Sequence, residues 1–152
     1  MNLPSTRGLR NKNPFNLKEG PSDKTKWVGE RATNDDPTFE EFEKHEDGLR
    51  AGFITILNYN KLYGLSTVES ILERFAPATE NNLDAYIGHV CMQVGANRNV
   101  TLDFKNPHVV LKMGKGIIRH ENGCQPYGDD LLWPALRKAY QQTFNMDIGA
   151  LA

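Results

Sequence analysis

Apolar residues recur at three-and-four spacing through most of the chain beyond Asp47, and they are sparse before it. Leu49, Phe53, Ile56 and Leu57 form one stripe, so Gly48 to Tyr63 is expected to be an amphipathic helix, with Gly64 placed for a left-handed cap. Ser66-Thr67-Val68-Glu69 has the form of a capping box, and Val68, Ile71, Leu72 and Phe75 continue on one face until Pro77 ends the pattern. Leu83, Ile87, Val90, Cys91 and Val94 predict a third helix from about Asn82 to Val94, stopped by Gly95. Asn106-Pro107 opens a fourth, whose apolar side runs through Val109, Val110, Met113, Ile117 and Ile118 toward Glu121, with Gly123 as its stop. Trp133, Leu136, Ala139 and Tyr140 predict a last helix between about Asp130 and Phe144, with Pro134 near its start.

Ahead of these helices the pattern is different. Arg7 to Lys26 is rich in Asn, Gly, Pro and Lys, the composition of loops and tight turns. From Trp27-Val28-Gly29 to Phe39 and Phe42, short strands around a turn are expected. The fold class that follows is mainly α (α+β): one domain over residues 1–152, with a loop and β-hairpin region at 1–46 and a helical core at 47–145. A length of 152 residues suits one core. Hydrophobic residues at 39% and charged residues at 24% fit a folded soluble protein, and no apolar run approaches the length of a membrane span. No apolar stretch follows the basic residues of the N-terminus, so no secretory signal is expected.

A formal charge of -1 argues against a nucleic-acid partner, although Arg7, Arg10, Lys12, Lys18, Lys24, Lys26 and Arg31 make the first 31 residues basic and 34–47 is acidic. Cys91 and Cys124 lie far apart without a CxxC pair, which predicts free thiols, Cys91 in the core. His45, His89, His108 and His120 show neither HExxH nor paired metal-ligand spacing, so no zinc hydrolase is expected. Gly114-Lys115-Gly116 sits in a helical pattern without phosphate-loop spacing, and no GxSxG occurs. No metal or cofactor is expected.

The segment Arg7-Gly8-Leu9-Arg10-Asn11-Lys12-Asn13-Pro14-Phe15-Asn16-Leu17 resembles the RGxRNNNPGNI-like opening of a family of phage proteins. The resemblance continues through Trp27 and Gly29, Phe39 and Phe42, Gly48-Leu49-Arg50-Ala51, Ala76-Pro77-Ala78-Thr79-Glu80-Asn81, and Arg119-His120-Glu121-Asn122-Gly123, nearly the whole chain. Phe15 stands where that family has glycine. The family includes virion-associated structural proteins and is similar to lysozyme-like peptidoglycan hydrolases, which implies a lysozyme-like helical domain. In glucosaminidases and lytic transglycosylases the acid-bearing helix precedes an Asn-rich turn and Trp-x-Gly; here those parts run in permuted order, which a compact domain with neighbouring termini can accommodate.

The chemistry so implied needs an acid that protonates the glycosidic oxygen. Glu121 is the first candidate, because partial desolvation at the end of an apolar helical face would keep it protonated; its alternative is a solvated residue of a last turn. Glu80 competes, as a second carboxylate or as the acid itself, or else is an ordinary charge ahead of a helix. Tyr86 and Asp36, with Asp35, are candidates for sugar binding or water positioning, or else structural. Trp27 either stacks on a sugar or fills the core. Asn13 and Asn16, with Asn11, either bond N-acetyl groups or form turns. The expected substrate is the glycan strand of bacterial peptidoglycan, cut by a glycosidase acting from the phage particle or from the host cytoplasm before lysis. Other virion proteins are candidate partners, and neither nucleic acid nor membrane is. The rival expectation is a non-catalytic virion or wall-binding protein on the same scaffold.

Overall fold

A computed structural model describes residues 6–19, 26–76 and 82–151. The described residues form six helices: α1 (Arg7–Arg10), α2 (His45–Tyr63), α3 (Val68–Phe75), α4 (Leu83–Val94), α5 (Pro107–Asn122) and α6 (Asp129–Phe144). The five longer helices are those the hydrophobic pattern predicts, and their stops are the expected ones. Gly64, Gly95 and Gly123 take left-handed conformations at the C-caps of α2, α4 and α5. Asn82 and Asn106 cap α4 and α5 by accepting the backbone N–H of Ala85 and His108. None of the described helices is long and apolar enough to cross a membrane.

Two starts differ from expectation. Helix α2 begins one turn early, at His45. The capping box of α3 is shifted by one residue: Thr67 accepts the Ser70 N–H at 3.1 Å, and Ser70 Oγ accepts the Thr67 N–H at 3.1 Å. A serine hydroxyl thus replaces the expected glutamate, and Glu69 instead pairs with Arg98 at 2.7 Å.

Helix α2 packs chiefly on α6, and α4 on α5. Leu49, Phe53, Ile56, Leu57, Ile87, Val90, Met113, Ile117, Leu136 and Tyr140 are buried between them. Cys91 and Cys124 are free thiols, half-buried against this core, so Cys91 lies at its edge rather than inside it.

The N-terminal region folds back onto this bundle. No strand is named among the described residues; the expected β-hairpin is reduced to two isolated antiparallel bridges, Lys18 with Phe39 and Glu30 with Phe42. Side chains replace the missing ladder. Asn13, fully buried, donates to the carbonyls of Leu17 and Glu40 at 3.0 Å and accepts the Leu17 N–H at 3.0 Å. Beside it, Phe15 is inserted into the bundle and packs edge-on against Phe53 and Phe75. The insertion depends on two glycines: a Cβ at Gly52 would stand 2.1 Å from the Phe15 ring, and one at Gly114 would stand 2.4 Å from the Phe53 ring. Phe15 is therefore the anchor of the segment.

Candidate functional site

Helix α5 ends against this anchored segment. Asn122, buried in its last turn, donates to the carbonyls of Pro14 at 2.8 Å and Ile118 at 3.0 Å, and accepts from the Thr6 hydroxyl at 3.1 Å. The adjacent Glu121 is half-buried and is gripped from both sides. Asn16 Nδ2 donates to Oε1 at 3.0 Å, and the Tyr86 hydroxyl donates to Oε2 at 2.7 Å. Residues 16, 86 and 121, distant in sequence, thus meet at one carboxyl group.

Each grip is held from behind. Asn16 has a left-handed backbone, φ 51°, and its Oδ1 is buried without a hydrogen-bond partner in the structure. Asparagine is among the few non-glycine residues that take this conformation readily, and here the Asn16 amide donates to Glu121 from it. Tyr86 is fully buried on α4, and His120 stacks on its ring at 3.8 Å between centroids. Burial, reinforced by the Glu121 charge, holds the Tyr86 phenol well above its usual pKa, so it remains a donor.

Glu121 and Asn16 line a groove of about 770 Å³ together with Trp27, Phe39, Tyr59, Phe75, Arg7, Lys18, Thr38, Thr55 and Arg74. Cations lie beside aromatic rings in its wall: the Arg7 guanidinium lies 4.6 Å from the Phe39 ring centre, and that of Arg74 lies 5.4 Å from the Tyr59 ring centre. Among the described residues, Glu121 is the carboxylate that lines the groove.

The residues singled out in the sequence fall into three groups. Glu121, Asn16 and Trp27 line the groove, with Tyr86 directly behind Glu121. Trp27 is half-buried: it packs on the core and also lines the groove.

Asn13 and Asp36 stand apart from the groove wall, because their polar atoms are spent inside the fold. Asp36 accepts from Arg7 Nε and a terminal guanidinium nitrogen at 2.6 Å, from Asn11 at 2.9 Å, and from the N–H groups of Thr38 and Phe39 at 2.9 Å. The Arg7 bond, with those backbone and Asn11 donors, holds the Asp36 carboxyl far below the usual carboxylate range. Its contribution to the groove is therefore indirect: it fixes Arg7 over Phe39. Asp35 is exposed. Glu80 lies outside the described residues. Tyr59, Phe75 and Arg74 reach the groove without having been singled out; Phe75 was assigned to the core stripe, and the others carry no local motif.

These observations define a helical domain that gathers one side-chain-gripped carboxyl group, aromatic faces and cations along a single groove. No family model matches the chain. Comparison with known proteins finds Protein P5 of Pseudoalteromonas phage PM2, 42% identical over 127 residues, which covers 83% of this chain and 77% of that protein. The chain belongs to the family of that bacteriophage protein.

Proposed function

We propose that the chain is a peptidoglycan-cleaving glycosidase in which Glu121 is the general acid, on a scaffold of lysozyme-like character. The observation that carries the reading is the Glu121 carboxyl group, held by Asn16 and Tyr86 at the wall of a groove whose rings suit the apolar faces of sugars. Each carboxyl oxygen engaged by one donor keeps a second lone-pair direction. The group can therefore carry a proton toward the groove without losing its grip. A glycan strand lies along Trp27, Tyr59 and Phe75, and Glu121 delivers its proton to the glycosidic oxygen as the oxocarbenium-like transition state develops. Either water or the sugar's own 6-hydroxyl then captures the cationic carbon. The phage kinship fits a role at the host wall, at entry or at lysis.

The test incubates wild type and Glu121→Gln with purified peptidoglycan and reads soluble fragments by mass spectrometry. The glutamine keeps the shape and cannot donate an acid proton, so release should fall by about 100-fold or more. Anhydro ends, lacking one water, would identify attack by the 6-hydroxyl. Wild type that pellets with the wall but releases nothing would mark a binding protein instead, and a fully active Glu121→Gln would remove this residue from the chemistry.

A further inference from the structure

A second concavity, of about 690 Å³, shares no lining residue with the groove and is formed by His89, Met92, Gln93, Gly116, Arg119, His120 and Gly123. In it the imidazoles of His89 on α4 and His120 on α5 face each other through their Nδ1 atoms, 2.8 Å apart, with ring centres 5.0 Å apart. At that separation one nitrogen holds a proton and the other accepts it.

We propose that His89 and His120 together bind a divalent transition-metal ion of borderline softness, Zn²⁺ or Cu²⁺, and that the ion clamps α4 to α5. Neutral imidazole is the usual ligand for such ions, at about 2.0–2.1 Å, which places two nitrogens of a tetrahedral site about 3.3 Å apart. About half an ångström of opening, with a turn of the His89 ring that lets both lone pairs converge, converts the present contact into that geometry, and the His89 side chain is exposed. The proton between the rings moves to the outer nitrogen of its own ring, so both Nδ1 lone pairs point inward and no net charge is lost.

Two features favour the site. His120 is pinned by stacking on Tyr86, so one ligand is oriented in advance. Met92 lines the same concavity one helical turn beyond His89, with 83% of its surface exposed, and offers a soft thioether. Water completes the coordination. The spacing of 31 residues between the two histidines hides the pair from any sequence pattern.

The metal-free 152-residue chain would be titrated with Zn²⁺ by calorimetry and by thermal unfolding, for wild type, His89→Gln and His108→Gln. Wild type and His108→Gln should bind one equivalent and unfold at higher temperature with the ion, since a ligand that favours the native state raises stability. His89→Gln should bind at least tenfold more weakly and lose the shift. Its circular dichroism should match wild type, because the side chain is exposed. With Cu²⁺, the electron paramagnetic resonance spectrum of wild type should carry the hyperfine pattern of two nitrogens. Equal Zn²⁺ affinity in wild type and His89→Gln, no binding by wild type, or a one-nitrogen Cu²⁺ spectrum would each overturn the proposal.

Discussion

At the scale of single residues, the molecule invests most of its ordering around Glu121 in the groups that hold it. The Tyr86 hydroxyl reaches Oε2 at 2.7 Å from a fully buried position, so removing that one oxygen loosens the carboxyl without disturbing the groove wall. On the proposed function, Tyr86→Phe should lower kcat on peptidoglycan by roughly tenfold, equivalent to about 1.4 kcal/mol in the barrier, with KM little changed. A displaced pH profile for kcat would separate this positioning role from simple loss of packing; an unchanged kcat would show that Asn16 alone suffices. Asp36 makes a different prediction, for stability. Its native pKa is depressed, chiefly by Arg7, so the unfolded chain takes up a proton first as pH falls. The stabilisation is complete above the unfolded value of about 3.9 and declines below it. Wild type should therefore exceed Asp36→Asn in stability at pH 7, and the gap should narrow below about pH 4, as read by urea unfolding across pH. A gap that stays constant would mean that the carboxylate charge contributes nothing.

At the scale of elements, the fold rests on a segment without regular structure being fastened to helices. Phe15 is the fastening: it is buried against Phe53 and Phe75 above Gly52, and Phe15→Ala would open a cavity at that contact. It should cost about 3–5 kcal/mol in urea unfolding, whereas Gly114→Ala, which crowds the Phe53 ring, should cost about 1–3 kcal/mol. These costs explain what was legible in the sequence. Helices α2 to α6 announce themselves because an apolar stripe and a terminal glycine are local signals, as at Leu49 to Gly64. The described residues of 6–19 and 26–42 carry no such signal, since their order comes from single long-range contacts: Asn13 onto the Glu40 carbonyl, Phe15 into the gap at Gly52, Arg7 onto Asp36. Apolar residues at Trp27-Val28 and at Phe39 and Phe42, on either side of a polar turn, suggested strands, but a buried asparagine and two bridges satisfy that backbone instead. For the same reason Glu121 and Asn16 were visible as candidates, while Tyr59 and Arg74 were not; only their packing turns those side chains toward the groove.

At the scale of the whole molecule, the candidate site exists only because the N-terminal segment is joined to the end of α5. Asn122 makes that joint, tying the end of α5 to the Pro14 carbonyl and the Thr6 hydroxyl, and its neighbour Glu121 receives Asn16 from the same segment. Asn122→Ala removes the joint while sparing every apolar contact of α2, α4, α5 and α6. A buried Pro14 carbonyl left without a partner costs about 1–3 kcal/mol, a sum too small to unfold most domains but large enough to loosen one segment. The expected outcome is selective: protease should cut faster within residues 6–19 while far-ultraviolet circular dichroism of the helices stays native. On the proposed function, peptidoglycan cleavage should fall along with this loosening, because Asn16 leaves Glu121 and one side of the groove moves away. Asn122→Asp sharpens the comparison, since it retains an acceptor for Thr6 but lacks the donor to Pro14; it should resemble Asn122→Ala if the Pro14 bond is the one that matters. Uniform loss of helical signal in both variants would instead mean that the N-terminal segment and the helical bundle fold as one cooperative unit, with no separable joint.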